Sequence, residues 1–186
     1  MTTLRSLIVA IGPNGIIGNK TSLLWHCKKD FEFFKTITMN KPCIFGDVTF
    51  FNMKNHPLKN RLNIVTSLDY NEVSVEVNEK GGYIKSPSIE KALEISSNFD
   101  EVVICGGRSI YKYCLDNDLV DRIYFSTIYS KELEDNLIAL PEEELISFPV
   151  DINEYTKNWA KYEIEDSFSL TNEDNLDVKF YMCNKK

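Results

Sequence analysis

Asp30 lies in the stretch Leu24-Trp25-His26-Cys27-Lys28-Lys29-Asp30-Phe31-Glu32-Phe33-Phe34-Lys35, followed by Ile37 and Met39. On a helix, Phe34 points along the same side as Asp30. A carboxylate on such an apolar stripe is either a helix cap or a buried acid with a task. In an apolar pocket its charged form is disfavoured, which raises its pKa and suits it to acid–base work. Gly106-Gly107, between a β-rich run and a helical stretch, lets backbone N–H groups approach a phosphate, or simply makes a tight turn. Gly46-Asp47-Val48-Thr49 repeats that arrangement, and two such turns at one end of a sheet could hold the two phosphates of a dinucleotide. Arg61, just after Pro57-Leu58, is either a surface charge or a fork for a substrate carboxylate.

These residues need a scaffold, and its elements are visible in outline. Leu7-Ile8-Val9-Ala10-Ile11 reads as a strand buried on both faces and ends in the turn Gly12-Pro13-Asn14-Gly15. A long loop continues from Ile16 to Trp25, and a loop of that length in a compact domain is usually functional. Residues 29–39 form the first helix, 42–46 a second buried strand and 47–53 a short helix. Residues 61–67 form a third strand, 68–80 read as weakly structured and acidic, and 83–85 as a short strand. Ile89, Ala92, Leu93 and Ile95 give a helical stripe, residues 101–105 the next buried strand, and a helix runs on from Gly107 to about Leu115. Strands at 121–129, 159–164 and 178–183 close the chain, and the acids between residues 130 and 177 read as a solvated surface, with Asp135 a candidate to order a neighbouring loop. Early strand–helix alternation with late adjacent strands predicts one α/β domain over residues 1–186.

A chain of 186 residues, 43% hydrophobic and 26% charged, fits a single soluble domain. A net charge of -7 with no basic stripe argues against nucleic-acid binding. The N-terminal apolar run is too brief for a signal region or a membrane span. Five scattered cysteines without a CxxC, and only His26 and His56 beside them, predict no metal site and reduced core thiols in a cytoplasmic protein.

The order of these features resembles the dihydrofolate reductase family. The resemblance is carried by Ile8-Val9-Ala10, Ile16-Ile17-Gly18, Leu24-Trp25, Asp30, Phe34, Asn40-Lys41-Pro42, Gly46 with Thr49, Pro57-Leu58, and Arg61-Leu62-Asn63-Ile64-Val65. Val103-Ile104-Cys105-Gly106-Gly107-Arg108-Ser109-Ile110-Tyr111 matches the second cofactor turn. The likeness weakens from Asp121 to Ala139 and is faint beyond. It implies a three-layer α/β fold with a central, mainly parallel sheet, an antiparallel C-terminal edge strand and flanking helices. It implies hydride transfer from a nicotinamide cofactor, NADPH, to C6 of 7,8-dihydrofolate, with protonation at N5, in a cytoplasmic monomer.

The same resemblance implies roles for particular residues. Asp30 would be the active-site acid, with Ser126 where a threonine is usual and Trp25 anchoring a mobile loop (Gly15 to Leu24) and carrying a water. Ile8, Val9, Phe34 and Leu58 would line the substrate pocket, and Arg61 would bind its carboxylate tail. Ala10, Ile17, Gly18, Gly46, Asp47, Val48, Thr49, Ser67, Cys105, Gly106, Gly107, Arg108, Ser109, Ile110 and Tyr111 would meet the cofactor. Tyr111 reads equally as a core aromatic on the stripe with Ile110 and Cys114.

Departures from the family pattern carry expectations of their own. Asp47 stands where a basic residue is usual and would repel a 2′-phosphate by ~1–4 kcal/mol, so NADH use is expected to open. Lys54, Lys59 or Lys85 could compensate. Leu24 replaces a proline, and the turn at Asn55-His56 is longer by a residue. Such divergence fits a viral or resistance-type member. Two other readings stand beside the reductase: a non-catalytic folate- or nucleotide-binding protein of the same fold, and a riboflavin-pathway pyrimidine reductase. Asp30 with Trp25, Phe34 and Arg61 speaks against the latter.

Overall fold

The first apolar run becomes the middle of a sheet. In the computed structural model, which describes residues 2–19, 24–164 and 176–186, β1 (Leu4–Ile11) is followed by β2 (Ile16–Asn19), α1 (Lys28–Thr38), β3 (Pro42–Gly46), α2 (Asp47–Asn52) and β4 (Leu62–Thr66). Then come β5 (Ser74–Asn78), β6 (Gly81–Ser86), α3 (Ile89–Ile95), β7 (Glu101–Ile104), α4 (Arg108–Asp116) and β8 (Arg122–Tyr129). The chain ends with α5 (Lys131–Ile138), β9 (Leu145–Ser147), α6 (Ile152–Tyr155), β10 (Ala160–Glu163) and β11 (Asp177–Asn184).

Among the described residues, nine strands form one sheet in the order β10-β11-β8-β1-β7-β3-β4-β6-β5. The six from β8 to β6 are parallel. β11 and β10 add an antiparallel edge on one side, and β5 adds another on the far side. Parallel strands need both faces covered, which is why the central runs are continuously apolar rather than alternating. Leu7, Val9 and Ile11 face one layer with Ala92, Tyr111, Cys114, Leu115 and Ile152. Ile8, Phe45, Val65 and Val103 face the opposite layer, where Phe33, Phe34 and Ile37 of α1 and Phe50 of α2 pack. A third cluster joins Trp25, Ile16, Leu133, Leu137 and Phe180.

The structure departs from the sequence reading in four places. The loop expected from Ile16 to Trp25 contains β2, which pairs antiparallel with β9 in a separate two-stranded sheet. Neither strand is long enough to show a period. Residues 68–80 include β5, whose valines (Val75 and Val77) face solvent while Ser74 and Glu76 are half-buried. That inverted alternation hides a strand made by backbone pairing to β6 through a tight turn, with Lys80 N–H donating to Asn78 Oδ1. The segment after Ser130 is not only surface. Ser130 Oγ caps α5 by accepting from Leu133 N–H at 3.0 Å, and Leu133 and Leu137 are buried. Asp135, which could have ordered a neighbouring loop, instead pairs with Lys131 at 2.7 Å on its own helix.

Candidate active site

Two glycine turns meet at the carboxyl end of the parallel strands. β3 ends at Gly46 and opens α2, and β7 runs through Cys105-Gly106-Gly107 into α4. Gly46 N–H donates to Gly106 O at 2.7 Å, and Cys105 N–H to Ile44 O at 2.8 Å, so the turns are bonded to each other. The Gly106–Gly107 peptide is cis, and Gly106 has φ +102, a region L side chains avoid. A Cβ at Gly106 would lie 2.7 Å from the Tyr111 ring, and one at Gly107 would lie 2.7 Å from Thr49 Oγ1. Ile110 packs on Gly46. The first-turn N–H groups of α4 carry no side-chain cap. This cradle of bare backbone at a helix start, closed from beneath by Thr49, Ile110 and Tyr111, fits a dinucleotide phosphate.

Tyr111 belongs to the core. It is buried, packs at a tilt against the Phe148 ring and donates its hydroxyl to Ile8 O at 2.7 Å. Burial pushes its pKa well up, so it stays a neutral donor. Cys105 is likewise buried, its thiol pushed up by burial and by the neighbouring Cys43; all five cysteines are buried. Arg108 donates to Ser147 O at 2.5 Å, tying α4 to β9. Ser109 is exposed on the same turn, and Val48 is exposed on α2.

The acid lies one strand away. Asp30, in the first turn of α1, is buried, and it is not a cap; its Oδ1 accepts from Ser126 Oγ at 2.5 Å. Ser126 sits on β8 directly opposite Ala10 of β1. Burial raises the Asp30 pKa, and the Ser126 hydroxyl pulls it partly back. Ile8 is buried in the same layer as Phe34 and Leu58, which are half-buried beside it. The Val9 side chain departs from its expected place in the pocket: adjacent residues on a strand point to opposite faces, and it joins the other layer, leaving only its backbone for a ligand.

Arg61 is no loose surface charge. Its guanidinium donates to Lys59 O at 2.6 Å, to Thr38 Oγ1 at 3.2 and 3.3 Å and to Lys35 O at 3.3 Å, which fixes the plane of its fork against the end of α1. Leu58 is positioned nearby by a reciprocal pair of bonds with the Asn63 side chain. Trp25 is buried in the third cluster with Ala10 close by, and its indole Nε1–H has no protein acceptor among the described residues. Gly12 lies against the indole so tightly that a Cβ there would come within 2.8 Å of it. Ile17 and Gly18 are held in β2. Residues 20–23 of the expected mobile loop lie outside the described residues.

Beyond Gly46 the edge of the sheet continues through Ser67, Tyr70 and Lys85. Asp47 Oδ1 accepts from Val48 N–H at 2.7 Å. Lys85 is paired with Glu76 at 2.8 Å and stands 5.5 Å over the Tyr70 ring. Of the three lysines that could have offset Asp47, this one is already engaged in an ion pair. The sequence reading missed Tyr70 and Glu76, because Glu76 lies on the strand it left unassigned and neither residue falls in a motif.

The comparisons bear on the whole arrangement. The family model for dihydrofolate reductase matches residues 5–172. Dihydrofolate reductase of Haemophilus influenzae is 31% identical over 183 residues, covering 97% of this chain and 98% of that protein. The dihydrofolate reductase of Buchnera aphidicola from Acyrthosiphon pisum is 37% identical over 131 residues, 64% of this chain and 77% of its own. Among solved structures, dihydrofolate reductase from Enterococcus faecalis complexed with NADP(H) and RAB-propyl superposes with a TM-score of 0.72 at 21% identity, covering 100% of this chain and 99% of that one. Because the relatedness runs through the acid-bearing helix and the strands beyond it, and not through the glycine turns alone, this chain belongs to the dihydrofolate reductase family.

Proposed function

We propose that this protein reduces 7,8-dihydrofolate to 5,6,7,8-tetrahydrofolate at the cleft between Asp30 and the two glycine turns. The observation that carries this reading is the buried Asp30–Ser126 pair, on the side of the sheet where Ile8, Phe34 and Leu58 cluster and at the edge that bears the phosphate cradle. Asp30 holds the pterin by its amino group and ring N–H, a bidentate match for one carboxylate. Burial raises its pKa, which favours its taking up a proton for relay to N5 through a water. Trp25 supports that water with its otherwise unpartnered indole N–H. Ile8, Phe34 and Leu58 bury the flat rings and exclude solvent, which strengthens the electrostatics of the acid. Arg61, already oriented by α1, receives the α-carboxylate of the glutamate tail.

The nicotinamide cofactor supplies hydride to C6 when bound. Gly106, Gly107 and the start of α4 hold its diphosphate, with Gly46 and Thr49 packed beside them. Ala10, Ile17 and Gly18 border its nicotinamide end, and Ser67 its ribose end. NADPH is the form the family relation favours; Asp47 opens the site to NADH. One domain, acting as a cytoplasmic monomer, carries both subsites.

The test is turnover of dihydrofolate, followed by loss of reduced-nicotinamide absorbance, in the wild type and Asp30→Asn. We expect turnover in the wild type and a fall of about 10²–10⁴-fold in the variant near neutral pH. Folate-analogue binding with no turnover under either cofactor would instead establish the binding-protein reading.

A further inference from the structure

The direction in which a dinucleotide must lie follows from the order of strands. Hydride transfer has to occur beside Asp30 and Ser126, over β1 and β8. The phosphate cradle is on β7, next to β1, with β3 and its Gly46 turn beyond it. The adenosine ribose therefore continues outward along the carboxyl edge, past β3 towards β4 and β6. Asp47, Ser67, Tyr70 and Lys85 stand there.

The charge at that end is negative. Asp47 is fixed by its bond from Val48 N–H, half-exposed at the first residue after Gly46. The Tyr70 phenol, which lies between, is raised first by burial and then by Asp47, with Asp69 also raising it and Lys85 lowering it. Asp47 and Asp69 thus both act on the Tyr70 phenol, and the one ammonium that stands over that ring, Lys85, is ion-paired to Glu76. A phosphate ester on the ribose would be desolvated against an acid with no unpaired cation of this group to receive it. A carboxylate at this place is instead a natural acceptor for ribose hydroxyls.

We infer that Asp47 is the specificity-determining residue of the ribose subsite and that it makes NADH a donor equivalent to NADPH. The inference rests on the proposed cofactor site. A carboxylate a few Å from a dianionic phosphate in a water-like dielectric is worth about a factor of ten in Kd. Glu76 contributes in the same sense by occupying Lys85.

The test is calorimetric binding of NADP⁺ and NAD⁺, which differ only in the 2′-phosphate, to the full chain without substrate. Wild type, Asp47→Asn, Asp47→Arg and Glu76→Gln are compared at low and high salt. The wild type is expected to bind the two within about tenfold of each other. Asp47→Asn should tighten NADP⁺ about tenfold and leave NAD⁺ unchanged or slightly weaker, more so at low salt, and Asp47→Arg should tighten it further. Glu76→Gln, remote from the turn, should shift NADP⁺ in the same direction. A wild-type preference for NADP⁺ above about 100-fold that Asp47→Asn does not alter overturns the inference and leaves the cofactor site standing. No binding of either nucleotide overturns both.

Discussion

Replacing Ser126 with alanine removes one hydroxyl, and its consequences follow from two facts. Ser126 is 1% exposed, and its Oγ donates to a buried carboxylate at 2.5 Å. A hydrogen bond to an ionised group contributes about 1.5–3 kcal/mol, and one between neutral groups about 0.5–1.5 kcal/mol. The bond is therefore worth more when Asp30 is charged. Urea unfolding of Ser126→Ala should show a loss of about 1.5–3 kcal/mol at a pH where Asp30 is ionised, and about 1 kcal/mol less where it is protonated. Since the hydroxyl holds the Asp30 pKa below where burial alone would put it, its removal raises that pKa further. The fall of kcat/KM on the alkaline side, where the acid loses its proton, should move to higher pH. Ser126→Thr keeps the hydroxyl and should return both readouts towards the wild type. A stability loss that is the same at every pH, together with an unmoved or acid-shifted rate profile, would refute the coupling.

Asp30→Asn should also change how stability depends on pH. The folded-state pKa of Asp30 is raised, so the native state holds the proton more tightly, and that advantage is lost as pH rises from the unfolded value through the folded one. The variant, freed of this term, should gain on the wild type as pH rises through that window; denaturant midpoints at acid and neutral pH measure it, and a variant that instead loses ground to the wild type as pH rises would be contrary. Gly107→Ala places a methyl 2.7 Å from Thr49 Oγ1 and should cost about 1–3 kcal/mol in unfolding experiments, most of it recovered in the double variant with Thr49→Ala. Arg61→Gln should raise the KM for dihydrofolate about 10–100-fold with kcat nearly kept, while a pterin lacking the glutamate tail is unaffected. Equal losses with both substrates would show that Arg61 matters only for holding α1.

Much of this protein can be read locally. The central strands announce themselves as unbroken apolar runs because they are covered on both faces. α1 is marked by its apolar stripe, and the glycine turns by the lack of side chains where a Cβ would strike Tyr111 or Thr49. Asp30 stands out because an acid among aromatics is costly unless it has work to do. Short edge strands were harder to read, since β5 turns its valines outward and β2 and β9 are too brief for a period. Which face Val9 takes was set by the pleat once Ile8 was committed to the α1 side.

Other features were decided only by the tertiary structure. The partner of Asp30 is 96 residues away and reaches it because β8 lies beside β1. Whether Arg61 was loose or fixed depended on where α1 ended, and whether Lys85 could offset Asp47 depended on Glu76, across a hairpin. Periodicity and turn chemistry act over a few residues and are written in the chain. The pairing of charges and the pKa of a buried acid arise from burial and from neighbours brought together by strand order, and these exist only once the sheet has formed.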